Sequence, residues 1–112
     1  MAAEPIAKQQ KDQYEIHAGD LVIGPSRFAV WVGGQRVRLS SKEFNILFLM
    51  ASHPGRVFTR EQLFERVWGS KGPHRSRTVD VHIRYLRRKV EPDPAKPRYI
   101  ETVRGFGYRF KT

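Results

Sequence analysis

Short apolar runs separated by turn-forming residues open the regular part of the chain. The first run covers residues 21–23 and precedes a predicted turn at 24–26. A second run at 28–32 is joined through Gly33-Gly34 to a third at 35–39. A two-glycine connection between apolar, β-forming segments is typical of a hairpin. The pattern therefore predicts a small antiparallel sheet in the first third of the chain.

The apolar spacing changes to that of a helix after Ser40. Ser40 and Glu43 have the spacing of a capping box, which starts many helices. The apolar positions then repeat at i, i+3, i+4 and i+7, at Phe44, Leu47, Phe48 and Ala51. The His-Pro-Gly sequence at 53–55 is expected to end this first helix, and residues 56–58 are expected to add a short strand.

A second helix is predicted after Thr59, because Gln62 completes another capping-box spacing. Its apolar positions are Leu63, Phe64, Val67 and Trp68. Gly69 is expected to cap its C-terminus. Residues 69–75 contain a proline and two glycines, which exclude a continuous helix, so they are predicted to form a loop.

A third helix and a hairpin are predicted to end the chain. Ser76 is expected to cap a helix that runs to about Glu91, where Pro-Asp-Pro ends it. Residues 98–111 alternate in polarity and turn at 105–107, which predicts a β-hairpin. Residues 1–13 are polar and aperiodic, so they are interpreted as a flexible tail, a linker or a tag remnant. Residues 14–112 are then one domain.

The third helix has two contrasting faces. A narrow apolar stripe, interpreted as the core face, is formed by Val79, Ile83, Leu86 and Val90. The opposite face has the same spacing at Arg77, Val81, Arg84 and Arg88, and three of these four residues are arginines. Like charges four residues apart repel each other, so an arginine row suits a face that meets phosphates.

The overall charge supports this interpretation. The chain has 112 residues, with 21 Lys and Arg against 11 Asp and Glu, and a net charge of +10. Residues 71–112 alone hold 12 basic and 4 acidic residues. This excess predicts a polyanionic partner for the last third of the chain. The alternative is a solvated basic surface that binds nothing.

Several functional classes are disfavoured by the sequence. It has no cysteine, no HExxH, P-loop or G-x-S-x-G motif, and its four histidines lack chelating spacing, so neither an enzyme nor a metal or other cofactor is expected. Its apolar runs are too short to span a bilayer, and the third helix has too narrow an apolar stripe for a membrane-surface helix. A basic RNA-binding module stays open as an alternative, although Phe28 and Trp31, the sheet aromatics, lie apart from the basic excess.

Duplex DNA fits the third helix better. A helix of this length spans about 22 Å and can enter a major groove about 12 Å wide. Its arginines can pair with guanine, and Val81 can contact a thymine methyl. Asp80 is interpreted as a cytosine contact, as an orienting partner of an arginine, or as an acid favoured by the helix dipole. Arg104, beside the hairpin turn, is predicted to enter an A·T-rich minor groove, with Thr102 and Tyr108 near phosphates.

Several motifs together carry a family resemblance. They are Leu39-Ser40-Ser41-Lys42-Glu43-Phe44, the stretch 53–63, Val67-Trp68-Gly69, the stretch 77–83, Leu86-Arg87-Arg88-Lys89 and the stretch 102–110. Over about residues 19–110 the chain resembles the C-terminal effector domain of OmpR/PhoB-type response regulators, a winged-helix DNA-binding family. The resemblance implies an α+β winged helix-turn-helix with an N-terminal four-stranded antiparallel sheet, three helices and a C-terminal β-hairpin wing.

The resemblance also implies a function and its residues. The domain is expected to bind double-stranded DNA sequence-specifically for transcription regulation, with the helix at about 76–91 in the major groove. The expected base contacts are Val81, Arg84 and Tyr85, with Asp80 added from the argument above. The expected backbone contacts are Arg77, Thr78, His82, Arg87, Arg88, Thr102 and Tyr108, and Arg104 acts from the wing in the minor groove. Some relatives carry arginine where this chain has Tyr85, so the base preference there stays open.

Further partners follow from the family. The loop where relatives touch RNA polymerase corresponds to Gly69, Ser70, Lys71, Gly72, Pro73, His74 and Arg75, whereas Trp68 beside it is interpreted as a packing residue. Family regulators also carry a receiver domain controlled by a sensor histidine kinase, and this chain has no room for one. The isolated domain is expected to be monomeric when free and to form tandem dimers on direct repeats in the bacterial cytoplasm.

Overall fold

A four-stranded antiparallel sheet forms the N-terminal part of the domain. The computed structural model describes residues 14–69 and 76–111. The strands are β1 (Ile16–Ala18), β2 (Leu21–Gly24), β3 (Ala29–Val32) and β4 (Gln35–Val37), and each pairs with the next along the chain. Gly33 and Gly34 have φ values of 58° and 83°, so the predicted two-glycine hairpin between β3 and β4 is confirmed.

Three details of this sheet differ from the pattern-based expectation. Strand β4 ends at Val37, two residues before the end of the predicted run at 35–39. The apolar runs predict three strands, and the fourth strand implied by the family resemblance is the three-residue β1. Strand β3 begins one residue later than predicted, because Phe28 adopts a left-handed φ of 52° and closes the 3-10 turn Pro25–Arg27. The Phe28 ring contacts the Phe44 ring edge-on, with 4.6 Å between centroids, so a contact to a distant helix accompanies this conformation.

Helices α1 (Ser41–Ala51) and α2 (Arg60–Trp68) begin as their capping signals predict. The Ser40 side chain accepts the Glu43 backbone N–H, and the Glu43 side chain accepts the Ser40 backbone N–H at 2.9 Å. Thr59 and Gln62 form the same reciprocal pair at α2. Gly69 caps the C-terminus of α2 with a φ of 76°, as expected.

Helix α3 (Ser76–Val90) buries the predicted apolar stripe and ends one residue earlier than expected. The stripe residues are each at most 1% exposed: Val79, Ile83, Leu86 and Val90. They contribute to one core in which α3 packs against α1 and α2. The orientation of α3 is therefore set by apolar burial on one face, which leaves its opposite face outside.

The C-terminal hairpin consists of β6 (Ile100–Val103) and β7 (Gly107–Phe110). The short strand β5 (Val57–Phe58) pairs with β7, giving a three-stranded sheet in the order β5-β7-β6. A Cβ at Gly107 would collide with the Phe58 carbonyl oxygen, so glycine permits this close approach. The predicted winged-helix architecture, with its sheet, three helices and hairpin, is confirmed.

A buried carboxylate joins the end of α3 to the start of β6. Glu91 is 6% exposed and accepts backbone N–H groups from Arg98 at 2.6 Å, Tyr99 at 3.0 Å and Ile100 at 2.8 Å. Both of its oxygens are used, so a single side chain pairs three consecutive backbone donors. The first residues of the hairpin are thereby fixed to the C-terminus of α3.

Glu43 performs a similar task between α1 and α3. In addition to capping α1, its Oε1 atom accepts a hydrogen bond from Lys89 Nζ at 2.7 Å. Burial by itself raises the pKa of Glu43, but the Lys89 ammonium and the hydrogen bonds from Lys89 and Ser40 outweigh it. The net result is a pKa below the ordinary value for glutamate.

Replacing Glu91 is expected to destabilise the whole domain. Glu91→Ala leaves buried backbone N–H groups without acceptors, at about 1–3 kcal/mol for each unpaired group. We expect the free energy of unfolding, measured by urea denaturation, to fall by roughly 3 kcal/mol. The exposed Glu61 provides the matched control, and an equal loss in Glu61→Ala would contradict the role assigned to Glu91.

The lowered pKa of Glu43 predicts a pH dependence of stability. A carboxyl whose pKa is lower in the folded than in the unfolded chain stabilises the fold above the unfolded pKa, and this contribution disappears as the pH falls through the folded pKa. We expect part of the acid-induced loss of stability below about pH 4.3 to come from Glu43. Denaturation curves of Glu43→Gln should show lower stability at neutral pH and a flatter acid dependence. Parallel pH profiles in both proteins would refute the assignment.

Candidate nucleic-acid interface

The outer face of α3 carries the arginine row expected from the sequence. Arg77, Arg84 and Arg88 are exposed, and Val81 between them is half-buried. Tyr85 on the same side of the helix is 44% exposed, which is high for an aromatic side chain. The apolar seam is fully buried while this face is open, so α3 presents its cationic groups outward.

Aromatic stacking fixes the junction between α2 and α3. Trp68 stacks on Phe64 with 4.9 Å between ring centroids, and the His82 ring lies edge-on to it at 5.0 Å. The His82 Nδ1 atom lies 2.8 Å from the Thr78 carbonyl oxygen, and its ring is 6.3 Å from Tyr85. Trp68 is therefore a packing residue at the end of α2, as interpreted from the sequence, and His82 is half-buried against it.

Asp80 is engaged within the domain. Its Oδ1 atom accepts a hydrogen bond from Arg60 Nε at 2.7 Å and another from the Tyr108 hydroxyl at 2.6 Å. Among the interpretations of Asp80, this geometry matches the one in which it orients an arginine. The arginine is Arg60, the first residue of α2, which the sequence does not single out because it lies 20 residues away.

This arrangement raises the pKa values of Tyr108 and Arg60. Burial raises the pKa of the Tyr108 hydroxyl, and the hydrogen bond to the Asp80 carboxylate and its negative charge raise the pKa further. The same carboxylate raises the pKa of Arg60 through its hydrogen bond and its charge. Tyr108 therefore stays a neutral donor, and Arg60 stays charged.

Arg87 also faces the hairpin. Its Nη2 atom donates to the Ile100 carbonyl and to Thr102 Oγ1, both at 2.8 Å, and its guanidinium lies 5.5 Å from the Tyr108 ring centre. Burial lowers the pKa of Arg87, partly offset by Tyr108 and Glu91. Arg87 and Thr102 are both predicted to contact phosphates. In the structure their side chains form a hydrogen bond with each other.

The wing turn is exposed at every position. Arg104, Gly105 and Phe106 form the turn, which is closed by a hydrogen bond from the Phe106 backbone N–H to the Val103 carbonyl at 2.9 Å. Phe106 is 67% exposed, the largest exposure among the large apolar side chains of the described residues. Phe106 is not among the predicted DNA contacts, although an aromatic residue between Gly105 and Gly107 is a sequence signal for an exposed turn side chain.

A polar groove separates α3 from the hairpin. It has a volume of about 420 Å³ and is lined by Asp80, Arg84, Arg87, Arg88, Pro94 and Tyr108. Three of these six residues are arginines, so the groove favours an anionic group. The arginine row of α3, the groove and the exposed wing turn make up the candidate interface.

Some expected sites fall outside this interface. Of the predicted polymerase-contact loop, only Gly69 belongs to the described residues, and Ser70–Arg75 lie outside them. In the described ranges, 14–69 and 76–111, no three His, Asp or Glu side chains lie close enough to hold a metal ion. Within the same ranges, no helix is long and apolar enough to cross a bilayer.

Comparison with known proteins identifies the family. A family model described as "Transcriptional regulatory protein, C terminal" matches residues 34–110. The alkaline phosphatase synthesis transcriptional regulatory protein SphR of Synechococcus elongatus is 47% identical over 89 residues, which cover 80% of this chain and 35% of SphR. The chain thus spans about a third of the length of this relative.

Solved structures agree with this match. The Klebsiella pneumoniae RstA DNA-binding domain in complex with the RstA box is 35% identical, with a TM-score of 0.81 over 88% of this chain and 98% of that domain. Response regulator DrrB of Thermotoga maritima, an OmpR/PhoB homologue, is 37% identical with a TM-score of 0.81, over 99% of this chain and 50% of DrrB. The chain therefore belongs to the family of C-terminal domains of transcriptional regulatory proteins, and its winged-helix fold is that of OmpR/PhoB-type response regulators.

Proposed function

We propose that this domain binds double-stranded DNA sequence-specifically and thereby regulates transcription as the effector part of a response regulator. The observation that carries the proposal is the exposed arginine row of α3 beside an exposed, basic wing turn. The similarity to the RstA domain in complex with its box supports the same partner. The family match supports duplex DNA and gives no support to the alternative of an RNA-binding module.

In the proposed complex α3 lies in the major groove. Its 15 residues span about 22 Å, and its diameter suits a groove about 12 Å wide. Arg84 and Tyr85 are exposed beside Val81, so these three side chains are the proposed base readers. The proposed backbone contacts on α3 are Arg77, Thr78, His82 and Arg88.

The wing is proposed to enter the adjacent minor groove. Arg104 is exposed at the turn, and its guanidinium can approach the strongly negative potential of a narrow A·T-rich groove. Thr102 lies on β6 and Tyr108 on β7, the two strands that the turn joins. The side chains of Arg87 and Thr102 are occupied by a hydrogen bond with each other. We therefore expect them to contact phosphates less directly than Arg77 and Arg88 do.

The regulatory setting is also a proposal. We place a receiver domain and a sensor histidine kinase upstream of this domain, in a two-component system of the bacterial cytoplasm. We expect the free domain to be monomeric and to form tandem dimers on direct repeats. RNA polymerase is a further proposed partner, through the loop at 69–75. The relatives' greater length supports an additional domain in the complete regulator.

The decisive experiment is selection of bound duplexes from a random DNA library at about 0.15 M salt, a concentration at which nonspecific contacts are screened. Enrichment of a direct repeat with half-sites about one helical turn apart is expected for a groove-reading helix and tandem pairing. Binding without enrichment would overturn sequence-specific recognition. Competition by single-stranded RNA that exceeds competition by duplex DNA would favour the RNA alternative.

Loss of the Arg84 side chain is expected to blur discrimination at one base pair. An arginine that pairs with guanine contributes about 1–3 kcal/mol, so Arg84→Ala should weaken cognate binding roughly tenfold or more. Titration of cognate and scrambled duplexes measures the effect. Arg36→Ala removes the same charge from strand β4 and serves as the control. Equal losses on both duplexes would reassign Arg84 to a phosphate contact.

Loss of the Arg104 side chain is expected to weaken DNA binding by an amount that depends on the flanking sequence. Narrow A·T-rich minor grooves attract an inserted arginine most strongly. The affinity of Arg104→Ala should therefore fall more on sites with A·T-rich flanks than on sites with G·C-rich flanks. A variant whose loss is independent of flank composition would exclude minor-groove insertion by Arg104.

A further inference from the structure

The two proposed reading elements are joined by one hydrogen-bonded cluster. Asp80 lies on α3, Tyr108 on the wing strand β7 and Arg60 at the start of α2. The Asp80 Oδ1 atom accepts from the Tyr108 hydroxyl at 2.6 Å and from Arg60 Nε at 2.7 Å. A single carboxylate oxygen therefore ties together three elements that are 20 and 28 residues apart in the chain.

The Tyr108 ring lies close to two guanidinium groups. Tyr108 is 5% exposed, and the guanidinium carbons of Arg60 and Arg87 lie 5.2 Å and 5.5 Å from its ring centre. Arg87 in turn donates to Ile100 and Thr102 on β6, the partner strand of the wing. Both strands of the hairpin are thus attached to α3, each by a different side chain of the helix.

The cluster occupies one of the two carboxylate oxygens of Asp80, so this oxygen is not available to accept a hydrogen bond from DNA. A base reader needs an acceptor aimed at the groove, whereas Oδ1 of Asp80 already accepts two charge-assisted or short hydrogen bonds. The Asp80 side chain is 40% exposed, and that of Arg60 is 36% exposed, so the pair lies at the edge of the interface. A partly exposed ion pair of this kind adds little to the free energy of unfolding. We therefore assign it an effect on the position of the wing relative to α3.

We propose that Asp80 is a positioning residue that fixes the wing in register with α3, and not a base reader. The inference rests on the proposed function. With the cluster intact, the wing turn meets the minor groove at a fixed number of base pairs from the bases that α3 reads. Without it, Arg87 and Glu91 still link the start of the hairpin and β6 to α3, but β7 loses its direct hydrogen bond to the helix, so the wing is held at fewer points. Asp80 therefore controls how strictly the domain requires a fixed number of base pairs between the core site and the A·T-rich flank.

The test compares duplexes in which an A·T-rich flank is moved by one base pair relative to a constant core site. For the unmodified domain we expect a shift of one base pair to weaken binding about tenfold, the effect of one mismatched contact. Asp80→Asn and Tyr108→Phe each remove one part of the cluster and keep the side-chain shape. We expect both variants to reduce the spacing effect to about twofold, and the double variant to add nothing further.

Controls separate positioning from other roles. Glu65→Ala removes one negative charge from an exposed position of α2 and should keep the full spacing effect. Thermal unfolding of each variant measures stability, and a lowered melting temperature alone does not change the dependence on spacing. Restoring a carboxylate by Asp80→Glu is expected to recover part of the spacing effect, since the longer side chain keeps the charged acceptor.

Two results would overturn the proposal. A changed base preference inside the core site in Asp80→Asn, absent in Tyr108→Phe, would make Asp80 a direct base reader. A tenfold spacing effect retained in both variants would show that the sheet pairing alone positions the wing. If the unmodified domain prefers no duplex at all, the proposed function fails together with this inference, and that result is distinct from the other two.

Discussion

The start of the wing hairpin depends on one buried carboxylate. Glu91 directly follows α3 and receives three consecutive backbone donors from the segment that leads into β6. A buried carboxylate is stabilised only when hydrogen-bond donors replace its lost hydration, and here the backbone of the hairpin supplies them. The helix that carries the arginine row and the hairpin that carries the wing turn are thus linked at one end by Glu91. The direction in which the hairpin leaves the helix follows from this contact.

Helix α3 divides its surface between the core and the candidate interface. The apolar seam is fully buried against α1 and α2, and the arginine row faces outward. Between these faces lie the residues that reach other elements, namely Asp80 and Arg87 toward the hairpin and His82 toward Trp68. The three groups occupy different sectors of one helix, so the packing of α3 leaves its arginine row exposed.

Local signals in the sequence account for much of the fold. The two capping boxes, the two-glycine hairpin and the seam of α3 each depend on residues a few positions apart, and these predictions are confirmed. The left-handed Phe28, the acceptor role of Glu91 and the Arg60–Asp80 contact depend on tertiary neighbours, so no local pattern indicates them. The arginine row of α3 is exposed, whereas Tyr108 is buried, and the DNA contacts of the individual site residues stay predictions.

The exposed wing turn has an evolutionary consequence. A Cβ added at Gly105 would meet nothing within 4 Å, but the φ of 83° at this position strains any residue other than glycine, and Arg104 and Phe106 on either side of it are exposed. Gly107, two residues further along, is pressed against Phe58 and tolerates no side chain without movement. The two glycines are therefore constrained for different reasons, Gly105 by its backbone conformation and Gly107 by the close approach of Phe58. Sequence change in the wing turn is left to the exposed side chains of Arg104 and Phe106, while both glycines are retained.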